Sequence, residues 1–412
     1  MRSSIYYFCA SNQNHFRKVG FWINGDDFDV STTVVADDLL PTLQLMVASI
    51  TDPGYGEEAV REYKADISAD MNRLRHRLGG ALEYVEEYLW GNDPRFGVPT
   101  EEELMGYTSD DVRAWLEDYL ASSFIELSLV GDFDMDDAVP DILRTFGALP
   151  ERDSAPIDVG EEAREISLPS TPAHQTFTYE NSQIDQASAI VAYPIPHIDL
   201  DMSQNRRIQI LADVLSNRLF DRIREELGDS YSPFAVEEAS TVFRRGVLYC
   251  ESEVESSVAK KTSKHMIEIA QFIASTLSDD EFLRATKLKE TDIADSLLDN
   301  SYWLYSVIWD CQQNPHKLDW AREMETDYAS ITLEEIRSLA AQFLVPSNAL
   351  RIDVVPEGTS DEETGEIDGS RRLLPRHRGT GLSTNSGMKR RGGKAKMKAK
   401  LQERRKVASM RM

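Results

Sequence analysis

Two segments of the chain repeat one another, and this repeat limits the available folds more than any other feature. Residues 108–120 (TSDDVRAWLEDYL) align without a gap on residues 332–344 (TLEEIRSLAAQFL). Each begins with a threonine followed three residues later by an acid, the pattern of a helix capping box, and each precedes a short apolar run. Three further matches recur at nearly the same spacing: Trp90 with Trp309, Asp66 with Asp292, and Ile67 with Ile293. The chain is therefore predicted to contain two copies of one unit.

The predicted fold class is α+β, with two tandem copies of an α/β sandwich unit. The second copy, residues 173–356, has β-type runs at 175–180, 187–193 and 234–254. Between them, residues 203–227 carry apolar side chains at strides of three or four, which predicts a long amphipathic helix. The first copy spans residues 1–150, and residues 151–172, rich in Pro, Ser, Gly and acids, form a predicted linker.

The first copy is expected to be truncated at its N-terminus. The two repeated segments are separated by about 224 residues, so the counterpart of the helix that ends at Leu227 would finish near residue 3. The first unit is therefore expected to lack its leading strands and its first helix. Such a unit would have uncovered strand edges and exposed apolar surface, which favours either a truncated chain or pairing with another one.

Charge divides the chain into an acidic body and a basic tail. The formal net charge is −26. From Arg371 onward there are fifteen Lys or Arg and one acid, which leaves 30 basic and 70 acidic residues in the first 370. An acidic body repels nucleic acid, so any nucleic-acid binding is expected through the tail alone. Residues 357–412 have almost no apolar periodicity, which predicts a disordered, solvated segment.

Several kinds of site are not indicated by the sequence. The three cysteines, Cys9, Cys250 and Cys311, are unclustered and suggest neither a disulfide framework nor a cysteine zinc site. None of the seven histidines stands three or four residues from another, and neither H-E-x-x-H nor H-x-x-E-H occurs, so no metal ligand is assigned. No apolar run is long enough for a membrane span or a signal-peptide core, and the cellular location stays open.

Four acids, Glu58, Glu62, Asp66 and Asp70, recur at a spacing of four on one predicted helix. Residues at this spacing share one helical face. Without histidines to complete a metal site, a solvated face is the favoured interpretation.

One motif suggests a binding function. Residues 216–232 (SNRLFDRIREELGDSYS) close the long predicted helix with arginines, stop it at Gly228 and place a tyrosine three residues later. Arg224 and Tyr231 are thus expected near one helix end, where a guanidinium and a phenol can both donate to a peptide carbonyl. From the residues alone, the alternative is an arginine interacting with its helix C-terminus and a tyrosine packed at a strand start.

This motif resembles the arginine–tyrosine motif of the pitrilysin/insulinase family of zinc metallopeptidases. Residues 88–100, 130–134 and 146–150 are similar, in order, to an inter-helix loop, a strand and a domain-closing turn of the family's large bacterial two-half members. The resemblance covers residues 20–356. It implies a clam of two halves, with the zinc and a glutamate base in the first half and the arginine and tyrosine in the second. The family's third zinc ligand is a glutamate, and the nearest acid on the comparable helix here is Asp70.

The resemblance implies that this chain is the C-terminal half of a zinc-dependent endopeptidase. Arg224 and Tyr231 are its expected substrate-binding residues, and no catalytic residue is assigned on this chain. Zinc is expected on a partner, the N-terminal half, encoded upstream or as a separate subunit, so this chain alone is expected to be inactive and to bind no cofactor. Peptide is the expected substrate. Relatives of this type are often periplasmic or organellar.

Two alternatives stay open. The first is a non-catalytic relative, comparable to family members that serve as structural core subunits of membrane complexes. The second is a binding protein that acts through its basic tail.

Overall fold

The computed structural model describes residues 2–9, 20–23, 27–180, 184–197, 201–228, 232–359 and 371–372, which form an α+β fold. The described strands are β1 (Arg2–Cys9), β2 (Gly20–Ile23), β3 (Asp27–Val34), β4 (Ile125–Val130), β5 (Ala173–Tyr179), β6 (Ala187–Pro194), β7 (Phe234–Ala239), β8 (Gly246–Val254), β9 (Leu350–Pro356) and β10 (Arg371–Arg372). The first group of α-helices is α1 (Leu39–Thr51), α2 (Glu57–Arg75), α3 (Leu78–Leu89), α4 (Glu101–Gly106), α5 (Ser109–Ser122) and α6 (Met135–Leu143). The second group is α7 (Met202–Leu219), α8 (Ala259–Gln271), α9 (Ile273–Thr276), α10 (Asp279–Ser296), α11 (Asn300–Tyr302), α12 (His316–Ser330) and α13 (Leu333–Phe343). Two π-helices, Phe220–Glu226 and Trp303–Ile308, follow α7 and α11.

The larger sheet has the strand order β10-β5-β9-β6-β8-β7 and is covered on both faces. Seven consecutive residues of β6, from Ala187 to Tyr193, are buried. Val191 and Tyr193 belong to a cluster that includes α7, α8 and α13, whereas Ile190 and Ala192 face α3 on the other side. A strand that is buried on both faces becomes a continuous apolar run, which is why 187–193 was recognisable in the sequence.

Helix α7 supplies much of this core. The Asp201 side chain caps it by accepting from the Gln204 backbone N–H at 3.0 Å. Its apolar stripe, Ile208, Leu211 and Leu215, is at most 1% exposed. Full burial of such a side chain contributes about 1.5 to 3 kcal/mol, so this stripe is sufficient to fix the helix on the sheet.

The smaller sheet has the strand order β2-β3-β1-β4. Strand β1 is parallel to both β3 and β4. Helix α1 and the edge of α5 pack beside this sheet, in a cluster that contains Val30, Leu43 and Leu120. The sequence predicted no strand at residues 2–9.

Each half of the chain contributes a helix to the other half's sheet. Helix α3 packs on β5 and β9, and its Tyr88 ring lies 6.0 Å from the Phe177 ring. Conversely, the π-helix Trp303–Ile308 lies against β4 and β1. Just after that π-helix, the Gln312 backbone N–H donates to the buried Glu126 carboxylate of β4 at 3.3 Å. The two halves are therefore interlocked rather than joined only by the predicted linker.

Most predicted elements agree with the structure. Both capping boxes are present: Thr108 accepts from the Asp111 N–H, and Thr332 accepts from the Glu335 N–H. The predicted helix 203–227 is α7 continued by a π-helix. Helices α4, α6 and α12 were not predicted. Within the described residues, no helix is both long and apolar enough to cross a membrane.

The predicted linker packs on both halves through Ile166, which joins Trp90 and Phe243 in a small apolar cluster. Of residues 357–412, the structure describes 357–359 and the pair Arg371–Arg372, which forms a short strand beside β5 rather than irregular chain. The remainder of that segment lies outside the described residues, so its predicted disorder stays a prediction. The unit boundaries at 150 and 173 lie within the described residues, and they also stay a prediction.

Candidate peptide-binding site

Arg224 lies in the π-helix Phe220–Glu226, at the solvent end of the long helix. The hydrogen bond that defines this wider turn runs from the Leu227 N–H to the Arg222 carbonyl, five residues earlier, at 3.2 Å. Ile223 is fully buried and anchors the turn in the core. A π-turn changes the direction of the side chains that follow it, and such turns are frequent at functional sites.

The Arg224 side chain faces solvent from a supported position. Its guanidinium lies 4.5 Å from the centre of the Phe220 ring, and its side chain is 41% exposed. Its Nε is 3.4 Å from the Glu225 carboxylate. Stacking on an aromatic face orients a guanidinium while its N–H groups stay available. Arg224 lies in the last turn of this helix, so the alternative interpretation, an arginine beside its helix C-terminus, stays open.

Tyr231 lies outside the described residues, so its position relative to Arg224 stays a prediction. The helix stop that was expected before it is present. Gly228 has φ of +69°, a conformation that glycine adopts without steric cost at helix C-termini. The chain is described again from Ser232, immediately before β7.

The resemblance places the zinc ion on a partner half rather than on this chain. No three His, Cys, Asp or Glu side chains within them converge as a metal ligand set. The acids Glu58, Glu62, Asp66 and Asp70 are all exposed on α2, as the solvated-face interpretation predicted. Asp70 pairs with Arg73, and Glu58 pairs with Arg61.

Residues 106–288 match the sequence model of the Peptidase M16 inactive domain. The matched range includes both Arg224 and Tyr231. This match shows a similarity to the M16 inactive domain over somewhat less than half of the chain. It agrees with the family, pitrilysin/insulinase, that the arginine–tyrosine motif resembles. No curated protein sequence matches the chain significantly.

Solved structures share the fold at low sequence identity. A peptidase M16 inactive domain from Pseudomonas fluorescens is 16% identical, with a TM-score of 0.61, over 79% of this chain and 77% of that one. The periplasmic protease PqqL from Escherichia coli is 11% identical, with a TM-score of 0.58, over 82% of this chain and 41% of that one. A chain of complex III2 from Candida albicans is also 11% identical, with a TM-score of 0.58, and 78% of each chain is covered. This chain thus spans less than half of PqqL.

The chain also contains a buried acid that the sequence analysis missed. Glu237 on β7 is 4% exposed and faces α7. One of its carboxylate oxygens accepts from the Ala239 N–H at 2.7 Å, and the other accepts from Gln209 Nε2 at 3.3 Å. Burial raises the pKa of Glu237 to about 7, although these hydrogen bonds oppose the rise. The available signal was Asn205 and Gln209, two amides on the apolar side of α7.

A second buried cluster is centred on Asp353 of β9. One carboxylate oxygen lies 2.7 Å from His174 Nε2, and the other accepts from Ser263 Oγ at 2.5 Å. Arg351 donates to both Asp353 and Ser263. The histidine and the serine each contact the carboxylate, whereas a catalytic serine would be hydrogen-bonded to the histidine that serves as its base. This cluster is therefore a structural ion pair between Arg351 and Asp353, supported by hydrogen bonds.

Proposed function

We propose that this chain is the C-terminal half of a zinc-dependent endopeptidase, which holds the peptide substrate through Arg224 and Tyr231. The observation that carries the proposal is the Arg224 side chain, solvent-facing and stacked on Phe220, within the range that matches the M16 domain. The fold shared with PqqL, a protease with a much longer chain, supports a role as one part of a larger enzyme.

The chemistry of these two groups fits peptide binding. A guanidinium and a phenol are hydrogen-bond donors, and a peptide carbonyl becomes a stronger acceptor as charge develops on its oxygen during hydrolysis. Arg224 and Tyr231 would therefore orient the peptide and stabilise that oxygen. The zinc ion, held by the partner half, would supply the Lewis acid. Neither residue has to carry a proton to or from the reacting atoms.

We further propose that the two halves of the chain are tandem copies of one unit. The strand order β2-β3-β1-β4 in the smaller sheet corresponds to the order β7-β8-β6-β9 in the larger sheet. Helix α5 precedes β4, which pairs with β1, and helix α13 precedes β9, which pairs with β6. Trp90 and Trp309 each end a helix that packs on the opposite sheet. These correspondences agree with the internal sequence repeat.

Activity reconstitution tests the proposed function. The chain is mixed with a candidate N-terminal half that contains H-x-x-E-H and is encoded in the same genome, and cleavage of a fluorogenic peptide is measured. Arg224→Ala and Tyr231→Phe should each remove about 2 to 4 kcal/mol of transition-state stabilisation and so lower turnover by roughly one hundredfold or more. The two losses should be non-additive, because both groups act on one carbonyl.

The matched control is Arg222→Ala. Arg222 lies two residues before Arg224 in the same π-helix. Its side chain is 58% exposed and pairs with Glu226. Its loss should leave turnover within about twofold, since exposed ion pairs contribute little. Circular dichroism of all variants verifies folding. Unchanged turnover in Arg224→Ala, with an active wild-type mixture, would refute the role of Arg224.

A non-catalytic role is the second candidate. The matching sequence model is that of an inactive domain, and a chain of complex III2 shares the fold. In this case the chain would be a stable structural subunit of a larger assembly. It would co-purify with its partners, and no H-x-x-E-H half would generate peptidase activity with it.

A further inference from the structure

The two sheets differ in what covers their helical side. In the larger sheet, β6 occupies the place that β1 occupies in the smaller one, but β6 is antiparallel to its neighbours and β1 is parallel. After β6 the chain continues into α7, which packs on α8 and α13. Helices α1 and α5 are the counterparts of α8 and α13. Within the described residues, α6 packs on α1, but no helix packs extensively on both α1 and α5 as α7 packs on α8 and α13.

The exposure of corresponding side chains measures this difference. On α13 the apolar face is covered: Ile336 is 0%, Leu339 9%, Ala340 1% and Phe343 7% exposed. The repeat aligns these residues with Val112, Trp115, Leu116 and Tyr119 of α5. Val112 is 36% exposed and Trp115 is 43% exposed, while the other two are half-buried. The same helical face is thus buried in one half of the chain and open in the other.

A groove of about 410 Å³ marks the open face. Its walls are formed by Phe28, Leu45, Ala48 and Ser49 on one side and by Leu116 and Leu120 on the other. Leu45 is 42% exposed. A concave apolar surface between two helices accepts the apolar stripe of a third helix, with side chains at positions i, i+3, i+4 and i+7.

Charge adds a second requirement for the occupant. In the second half, Arg207 of α7 donates through Nε to the Glu335 carboxylate at 2.7 Å, and Glu335 is the third residue of the α13 capping box. The corresponding residue of the α5 capping box is Asp111, which is exposed. Asp52 adds a further acid at the groove. A helix with a basic side chain near its N-terminus would find the same partner that Arg207 has.

We propose that the groove between α1 and α5 is a docking site for an amphipathic helix of the α7 type, carried by another polypeptide. The helix would place its apolar stripe against Leu45 and Leu116 and a basic side chain beside Asp111. This docking is independent of Arg224 and of peptidase activity.

Peptide binding to the full chain tests the proposal. The probe is a fluorescein-labelled peptide with the sequence of residues 201–220, whose own place on α13 is already occupied by α7. Fluorescence anisotropy should show saturable binding with a Kd of about 10 to 100 µM. Leu45→Glu, at a side chain already 42% exposed, should weaken binding by at least about tenfold. The matched control Leu143→Glu, on α6 outside the groove at 63% exposure, should leave the affinity within about twofold.

A charge reversal tests the predicted orientation. A peptide with Arg207→Glu should bind several-fold more weakly, and Asp111→Lys in the chain should restore its binding. Absence of saturable binding up to about 1 mM, or equal binding by the wild type and Leu45→Glu, would overturn the proposal. Analytical ultracentrifugation of the chain alone provides a further test. A dimer that Leu45→Glu abolishes would show that the groove binds a second copy of this chain, and it would overturn the proposal.

Discussion

Replacing Glu237 by glutamine should remove a pH dependence of stability from this chain. Glu237 has its pKa raised from 4.5 to about 7, first because it is buried. A pKa that is raised on folding means that the folded state binds the proton more tightly than the unfolded state does. The associated stability is fully present below the unfolded pKa and is lost as the pH rises through about 7.

The magnitude follows from the two pKa values. A rise from 4.5 to about 7 corresponds to about 3 kcal/mol in favour of the protonated folded state. Between about pH 5.5 and about pH 8.5, roughly 2 kcal/mol of this difference should be lost from the wild type. Glu237→Gln is neutral throughout, and its amide oxygen can still accept from the Ala239 N–H. Its stability should therefore depend less on pH by the same amount.

Urea unfolding followed by circular dichroism at both pH values measures this difference. Glu281→Gln is the matched control, because bonds from Arg218 and Ser278 hold the pKa of Glu281 at about 2 against the opposing effect of burial. That carboxylate is ionised at both pH values in both states, so its loss should cost about 1 to 2 kcal/mol equally at each. Equal pH dependence in the wild type and Glu237→Gln would refute the argument that Glu237 is buried with its proton.

Two further substitutions test the packing. Gly91→Ala should destabilise the chain by more than about 2 kcal/mol, because φ at Gly91 is +71° and an added Cβ would lie 2.0 Å from the Ser167 carbonyl oxygen. Gly160→Ala shares the positive φ but meets nothing within 4 Å, so it should cost only about 1 kcal/mol in the same denaturation assay. Leu211→Ala, at a fully buried position, should cost about 2 to 5 kcal/mol, whereas Leu283→Ala, at 50% exposure, should change the unfolding midpoint little.

The sequence predicted local features of the fold well because their causes are local. The capping boxes at Thr108 and Thr332 depend on residues three apart, and the run 187–193 reflects burial on both faces of one strand. The exchange of helices between the halves was not predictable in this way. The apolar stripe of α3 indicates that the helix is buried. It does not indicate which sheet covers the helix, and that sheet begins only at residue 173.

The binding role of Arg224 and Tyr231 stays a prediction, whereas the local structure around Arg224 was predicted in part. Its position near the helix end and the stop at Gly228 followed from the helix-end pattern. The π-turn was missed, since the apolar stride continues through Ile223 without a visible interruption. Glu237 was missed because its Gln209 partner lies on α7, 28 residues earlier, and the amides Asn205 and Gln209 do not show by themselves that they face β7.

The interlocked helices have a consequence for the order in which the protein is made. The ribosome releases α3 before any strand of the sheet on which α3 packs, and it releases β4 long before the π-helix Trp303–Ile308 that lies against it. The apolar face of α3 must therefore wait in the nascent chain until β5 and β9 emerge. During translation this half-made chain has a helix without its sheet and a sheet without its helix, a state that chaperones recognise by exposed apolar surface. The N-terminal half therefore cannot complete its packing until parts of the C-terminal half have been synthesised.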